Sequence, residues 1–312
     1  MNDTSTPLPR SFSEWLRSGR FVMTAEVAPP VSCSAQDLIR KAAPLRGLAD
    51  AVNVTDGAGA RAHMSALAAA AILLDAGIEP ILQITCLDKN RIALQSELMG
   101  AAALGIRNLL ILTGDDPSAG DQPETKPVFD VDARTLLETA RRLRDAGTLP
   151  TGRQVSGAAD FFLGAADAPI DPPPDFRPDS LRAKATAGAQ FVQTQFCMDA
   201  AVVRRYVGAL RDAGLPSKVA ILIGINPLRS ARSAQWIKSH LFGAIIPEAM
   251  IARMEQAADP VREGIRICVD LIDELAGIPG IAGVHIMAPG NDAAIPDVIA
   301  EARQRVQNAA AV

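Results

Sequence analysis

The sequence is poor in aromatic residues, which make up 4% of its 312 positions, with a single tyrosine and two tryptophans. Its core must therefore be assembled from Ala, Leu, Ile and Val. Cysteine is scarce as well: Cys33, Cys86, Cys197 and Cys268 stand far apart, with no CxxC pair. That spacing argues against a disulfide scaffold or a local zinc knuckle and fits a reducing compartment. No Lys/Arg-rich run occurs, and 31 basic against 35 acidic residues give a net charge of −4, so the basic stripe of a nucleic-acid binder is missing. The longest apolar run, Ala66–Leu74, is too short for a membrane span, which takes about 20 residues. The polar N-terminal segment has no apolar centre of the signal-peptide kind. A soluble cytoplasmic protein with neither nucleic acid nor membrane as partner is the expectation.

What the sequence does contain is a rhythm. Eight short apolar or β-branched runs recur: Phe21–Ala28, Ala51–Gly57, Pro80–Cys86, Arg107–Gly114, Gln154–Phe161, Ala189–Cys197, Val219–Ile225 and Gly283–Pro289. Each is bounded by Gly, Pro or charge, as strands are. Stretches of helical period separate them, and two further ones, Pro247–Ala257 and Asp259–Leu275, precede the last run. Strands alternating with helices at this spacing predict a single α/β domain over residues 1–312, a (β/α)8 TIM barrel with extra helices before the last strand. Residues 1–20 read as an N-terminal extension. A doubly wound open sheet is the alternative. The segment Asp115–Arg153, with Pro117, Gly120, Pro123 and Pro127, predicts a long rim loop.

Chemistry in such a barrel gathers at the C-terminal ends of the strands, and polar residues stand there. Strand one carries Thr24 and Glu26, and strand two ends in Asn53, Thr55 and Asp56. Strand three holds Gln83, Thr85 and then Asp88, strand four runs into Thr113-Gly114-Asp115-Asp116, and strand five is expected to end in Asp160. Strand six holds Gln193, Thr194 and Gln195, and Asn226 follows strand seven. Side chains two apart on a strand share a face, which pairs Thr24 with Glu26 and Gln193 with Gln195. Each residue alone reads as a hydrogen-bonded strand end; together they predict one ligand pocket.

Other features read as structural. Gly57-Ala58-Gly59-Ala60-Arg61-Ala62 fits GxGxxA in outline but lacks the acidic residue about 20 positions on that a dinucleotide site uses. His63, His240 and His285 are too widely spaced for a metal site. His63 is expected to start a helix and His240 to end one, whereas His285, inside strand eight, can face the pocket. Cys86 and Cys197 read as packing residues. No GxSxG or P-loop occurs.

In chain order these residues resemble the flavin-dependent methylenetetrahydrofolate reductases, in their short single-barrel form. The resemblance is carried by TAEVAPP around Glu26, VTDGAG around Thr55, ITCLDKNR, TGDDP around Asp115, and KATAGAQFVQTQFCMD from Lys184 to Asp199. It implies a barrel that reduces 5,10-methylenetetrahydrofolate to 5-methyltetrahydrofolate, or runs the reverse oxidation. It implies FAD, or FMN, as cofactor and NADH or NADPH as electron donor. Glu26 is then similar to the family's general acid, and Asp115 to the acidic residue near the flavin and the bound pterin. Gln195 resembles the family's folate-binding glutamine. Thr55, Thr85, Ala159 and Lys184 fall where flavin contacts are expected, and no metal is implied. The sequence departs from the family at Gln83, Thr113 and Asp160, where His, Arg and Tyr are common, and at strand eight, which reads GVHIMAPGND.

The chemistry suits the residues. Opening the five-membered ring of the substrate to an iminium calls for an acid at the departing nitrogen, and a reduced flavin supplies hydride. Two other readings stay open at this point, a flavin-free pterin-binding barrel methyltransferase and a non-catalytic folate- or flavin-binding subunit of a methyl-transfer complex. A homo-oligomer or a separate electron-donor protein is compatible with each of them. A C-terminal regulatory domain of the eukaryotic sort is not expected.

Overall fold

The computed structural model describes residues 11–310. Eight strands, β1 (Val22–Val27), β2 (Ala51–Val54), β3 (Pro80–Thr85), β4 (Asn108–Leu112), β5 (Phe162–Asp167), β6 (Phe191–Phe196), β7 (Ala220–Ile225) and β8 (Ile281–Ile286), are paired in sequence order. All pairs are parallel, and β1 closes on β8 through Thr24↔His285 and its neighbours, so the sheet is a closed barrel and not an open doubly wound one. Seven helices follow the first seven strands: α2 (Ala35–Ala42), α3 (Ala66–Asp75), α4 (Arg91–Ala103), α5 (Ala133–Ala146), α6 (Asp179–Ala187), α7 (Ala200–Asp212) and α8 (Ala231–His240). Two more, α9 (Glu248–Glu255) and α10 (Pro260–Ala276), precede β8 as expected, and α11 (Ile295–Ala310) follows it. The outward faces of the strands and the apolar stripes of the helices form one continuous core.

Strand five lies eight residues later than the sequence reading put it. The segment from Gln154 pairs antiparallel with Thr148 across a tight turn, with the Val155 N–H donating to the Gly147 carbonyl, and so closes on its own loop. The ladder passes to FLGAAD instead, where Gly164 is required: a Cβ there would lie 2.2 Å from the Phe191 ring. Ala159 and Asp160 therefore precede β5 at the N-terminal end of the barrel, away from the cavity described below. Asp160 is exposed and lies 3.6 Å from Arg107.

That N-terminal end is plugged. A short helix, α1 (Phe12–Arg17), is nucleated by a capping box between Ser11 and Glu14 and drives the fully buried Phe12 into the barrel floor. Phe12 packs edge-on against Phe162 and Phe191 with ring centroids 5.8 and 5.2 Å apart, and those two rings stack at 5.2 Å. Three of the nine phenylalanines thus fill the layer that also holds Val22, Ala51, Ile81, Leu110 and Leu222. Within the segment expected as an N-terminal extension, residues 11–20 belong to the barrel; residues 1–10 lie outside the described residues.

Glu79, just before β3, ties the plug in place. Both its carboxylate oxygens accept the Phe12 N–H at 3.0 Å, and Asn108 Nδ2 donates to it at 2.9 Å. Burial pushes the Glu79 carboxyl above its ordinary value, against the opposing pull of these donors. The folded protein therefore holds this proton more tightly than the unfolded chain, and stability drawn from that difference is lost as pH rises through the folded value. Glu79→Gln removes the titration. In urea unfolding, the stability of the variant relative to wild type should rise as pH is raised above about 4; a difference independent of pH would contradict this account of Glu79.

Candidate active site

At the opposite, C-terminal end the barrel interior opens into a cavity of about 670 Å³. Six of the seven residues singled out from the sequence line it: Glu26, Thr55, Thr85, Asp115, Lys184 and Gln195. Ala159 does not, because strand five was placed too early. The true end of β5 brings Ala166, Asp167 and Ala168 to the cavity instead. The run FFLGAA was a competing strand candidate in the sequence, but the ring that Gly164 accommodates, Phe191, is evident only in the fold.

Glu26 sits on β1 at the cavity floor, with its side chain 21% exposed. Gln83 Nε2 donates to Glu26 Oε2 at 3.2 Å, and His285 Nε2 lies 3.6 Å from the same oxygen. His285, 2% exposed, faces the pocket as strand periodicity allows. The other two histidines have local roles. His63 Nε2 is 3.2 Å from the Ala58 carbonyl, three residues ahead of α3 and outside it, while His240 Nδ1 lies 2.9 Å from the Trp236 carbonyl in the last turn of α8.

The β2 and β4 loops interlock over one side of the mouth. Asp115 accepts the Gly59 N–H at 2.8 Å, and the 57–60 segment forms a single 3₁₀ turn ahead of α3, so GxGxxA here shapes a rim and does not open a helix. Below it, Asp56 accepts from the Thr85 N–H and hydroxyl, both at 2.9 Å, and from Lys89 Nζ at 2.7 Å. Burial would lower the Lys89 ammonium, but Asp56 and Glu97 outweigh it and hold it above its ordinary value. This half-buried ion pair fixes the β2 and β3 ends relative to each other.

On the far side, a bulge between β6 and β7 shifts the register at Gln193–Phe196. Thr194 Oγ1 accepts the Gly224 N–H at 2.9 Å, and Gln193, Thr194 and Gln195 all reach the cavity, which is how bulges re-aim side chains. Gln195 Oε1 accepts the Phe196 N–H at 3.0 Å, and its Nε2 donates to the Phe242 carbonyl at 3.2 Å. Phe242, 92% exposed, stands at the mouth; nothing in its sequence context pointed to it. Lys184 Nζ donates to the Ala166 carbonyl at 2.6 Å and lies 3.9 Å from Asp167, whose other oxygen accepts the Tyr206 hydroxyl.

Cys86 and Cys197 are buried, and burial pushes both thiols up to about 11, so neither presents a thiolate near neutral pH. Among the described residues there is no His, Cys, Asp and Glu cluster able to hold a metal ion, and no helix long and apolar enough to cross a membrane.

Comparison with known proteins agrees with this geometry. Among solved structures, the EDTA monooxygenase EmoA from Chelativorans sp. BNC1 superposes with a TM-score of 0.55 at 14% identity, covering 93% of this chain and 94% of that one. DmoA from Hyphomicrobium sulfonivorans does so with a TM-score of 0.55 at 12% identity, covering 92% and 88%. At such identities the likeness is one of fold alone. In sequence, the chain is similar to the probable methylenetetrahydrofolate reductase (NADPH) of Caenorhabditis elegans, at 26% identity over 239 residues, 74% of this chain and 33% of that protein. Methylenetetrahydrofolate reductase 1 of Schizosaccharomyces pombe is 26% identical over 262 residues, 80% of this chain and 40% of that protein. The chain thus spans only 33–40% of the length of these two relatives. Residues 11–303 match the sequence profile of one family, and with that match the chain belongs to the methylenetetrahydrofolate reductase family.

Proposed function

We propose that the chain catalyses flavin-dependent reduction of 5,10-methylenetetrahydrofolate to 5-methyltetrahydrofolate, with the reverse oxidation as the same chemistry run backwards. The observation that carries this reading is the carboxyl of Glu26, held on β1 at the floor of the barrel's cavity beside Gln83 and His285, in a chain of this family.

The lining suits a flavin. Thr55 is 3% exposed and its hydroxyl has no hydrogen-bond partner among the described residues; buried polar groups are nearly always paired, so this one is left for a ligand. Leu110 and Leu112 offer an apolar wall beside the polar Thr85 and Gln193, the mixture that a flat ring with polar edges requires. Lys184 spends one of its three N–H donors on Ala166 and keeps the rest for phosphate oxygens. When bound, a reduced flavin supplies hydride at the methylene carbon.

The protein's own residues handle the proton. Glu26 gives a proton to the ring nitrogen whose bond to the methylene carbon breaks, which opens the five-membered ring to an iminium. Hydride added at that carbon leaves a methyl group, so one hydride and one proton are consumed. Gln83, already bonded to Glu26 Oε2, meets the carboxylate that results. Gln195 orients the pterin, since an amide both donates and accepts and matches a mixed hydrogen-bonding edge. Asp115 braces the rim and places negative charge over the mouth, which makes a reduced flavin a stronger hydride donor. The NADPH in the name of the worm relative is the donor to try first.

Two outcomes test the assignment. Gln195→Ala should weaken folate binding by about tenfold, the loss of one good hydrogen bond, while flavin content stays unchanged. Released flavin with intact folate affinity would reverse the assignment of β6. Glu26→Gln keeps size and hydrogen bonding but has no proton to transfer. In anaerobic stopped-flow its reduction by NADPH should run near the wild-type rate, while the folate step falls by about a hundredfold or more, roughly 2.7 kcal/mol of transition-state stabilisation. Equal slowing of both half-reactions would show that Glu26 orders the flavin.

A further inference from the structure

Beneath Glu26 a chain of polar side chains crosses the barrel interior. Thr24, Asn53, Gln193 and His285 are each 0–3% exposed, and they come from four different strands. Asn53 and Gln193 pair reciprocally: Asn53 Nδ2 donates to Gln193 Oε1 at 2.6 Å, and Gln193 Nε2 donates to Asn53 Oδ1 at 3.0 Å. Gln193 Nε2 also donates to Thr24 Oγ1 at 3.0 Å. Thr24 Oγ1 lies 3.0 Å from His285 Nδ1 and 3.4 Å from the Val284 carbonyl. An amide donor occupies one lone pair of the hydroxyl, so its single hydrogen goes to the nearer acceptor, His285 Nδ1. Nδ1 then accepts, and the neutral imidazole carries its hydrogen on Nε2, the nitrogen 3.6 Å from Glu26 Oε2.

We propose that His285 is a positioning residue for Glu26, held by the Asn53–Gln193–Thr24 relay as the tautomer whose Nε2–H points at the carboxyl. This rests on Glu26 being the general acid. Two donors, His285 Nε2 and Gln83 Nε2, then converge on Glu26 Oε2. The acidic hydrogen is thereby confined to Oε1, and the carboxylate left after its transfer finds both donors in place, the preorganisation that lowers a proton-transfer barrier. Catalytic contacts of this length commonly tighten once substrate is enclosed. The relay also explains why four costly polar side chains stand in the interior of a barrel: each satisfies the next, and the last one faces the chemistry.

The test reads the tautomer directly and separately from catalysis. Nitrogen-15 NMR of the histidine-labelled protein as purified, with His285 identified by its loss in His285→Asn, should show a neutral ring protonated on Nε2. Thr24→Val removes the donor to Nδ1 and should abolish that single tautomer; Thr24→Ser restores it. In stopped-flow, Thr24→Val should slow the folate half-reaction by about tenfold or more while reduction by NADPH is little changed. Thr24→Ser should recover the folate rate to within about threefold. A proton on Nδ1 in wild type would mean that the amide pair is turned over and the relay runs the other way, which overturns the proposal. So would a normal folate rate in Thr24→Val. Both results leave the Glu26 assignment standing, whereas a normal folate rate in Glu26→Gln removes that assignment whatever the tautomer.

Discussion

Closing eight parallel strands into a barrel creates an interior that the strands' own side chains must occupy, and this chain occupies it unevenly. The N-terminal half is packed with Phe12, Phe162, Phe191 and aliphatic neighbours, where dispersion and area burial are greatest. The middle is a hydrogen-bonded polar layer. The C-terminal half is left as a cavity of about 670 Å³. Each layer depends on the one below it. A rigid base fixes the polar layer, which in turn holds Glu26 at one place on the cavity floor. A chain so short of aromatics places three of its few at that base.

Position on the barrel matters more here than distance along the chain. Glu26 and His285 are separated by most of the sequence, yet β1 pairs with β8 and the closure of the sheet makes them neighbours. Gln193 reaches Thr24 and Asn53 across the interior in the same way. The rim is held by charge instead: Asp56 and Lys89 lock the β2 and β3 ends, and Asp115 ties the β4 loop to Gly59. Loops over a rigid barrel can then vary in length and sequence while Glu26 beneath them stays fixed.

Much of this was legible in the residues. Short apolar runs bounded by turns located seven strands, and polar residues at their C-terminal ends picked out Glu26, Thr55, Thr85, Asp115, Gln193 and Gln195 as one pocket. The resemblance added Lys184 to the same cavity wall. Strand five was not legible, because QVSGAAD reads like a strand but closes on Thr148 locally, and a local hydrogen-bonded turn cannot be weighed against a distant ladder from sequence. Asp167 was lost with it. The plug was also missed, although Ser11 and Glu14 spell a capping box, because α1 has only six residues and gains its stability from tertiary burial of Phe12 and not from its own propensity. Hydrogen-bond direction, on which the role of His285 turns, has no trace in sequence at all.

The proposed reaction moves a hydride and a proton to a methylene bridge. The direct measurement is to reduce the purified protein anaerobically without any nicotinamide, mix it with 5,10-methylenetetrahydrofolate, and follow both flavin absorbance and product. The flavin should be reoxidised with one 5-methyltetrahydrofolate formed per flavin. A protein purified and reconstituted without any flavin absorbance, or a reduced flavin that methylenetetrahydrofolate does not reoxidise, would contradict the proposed reaction.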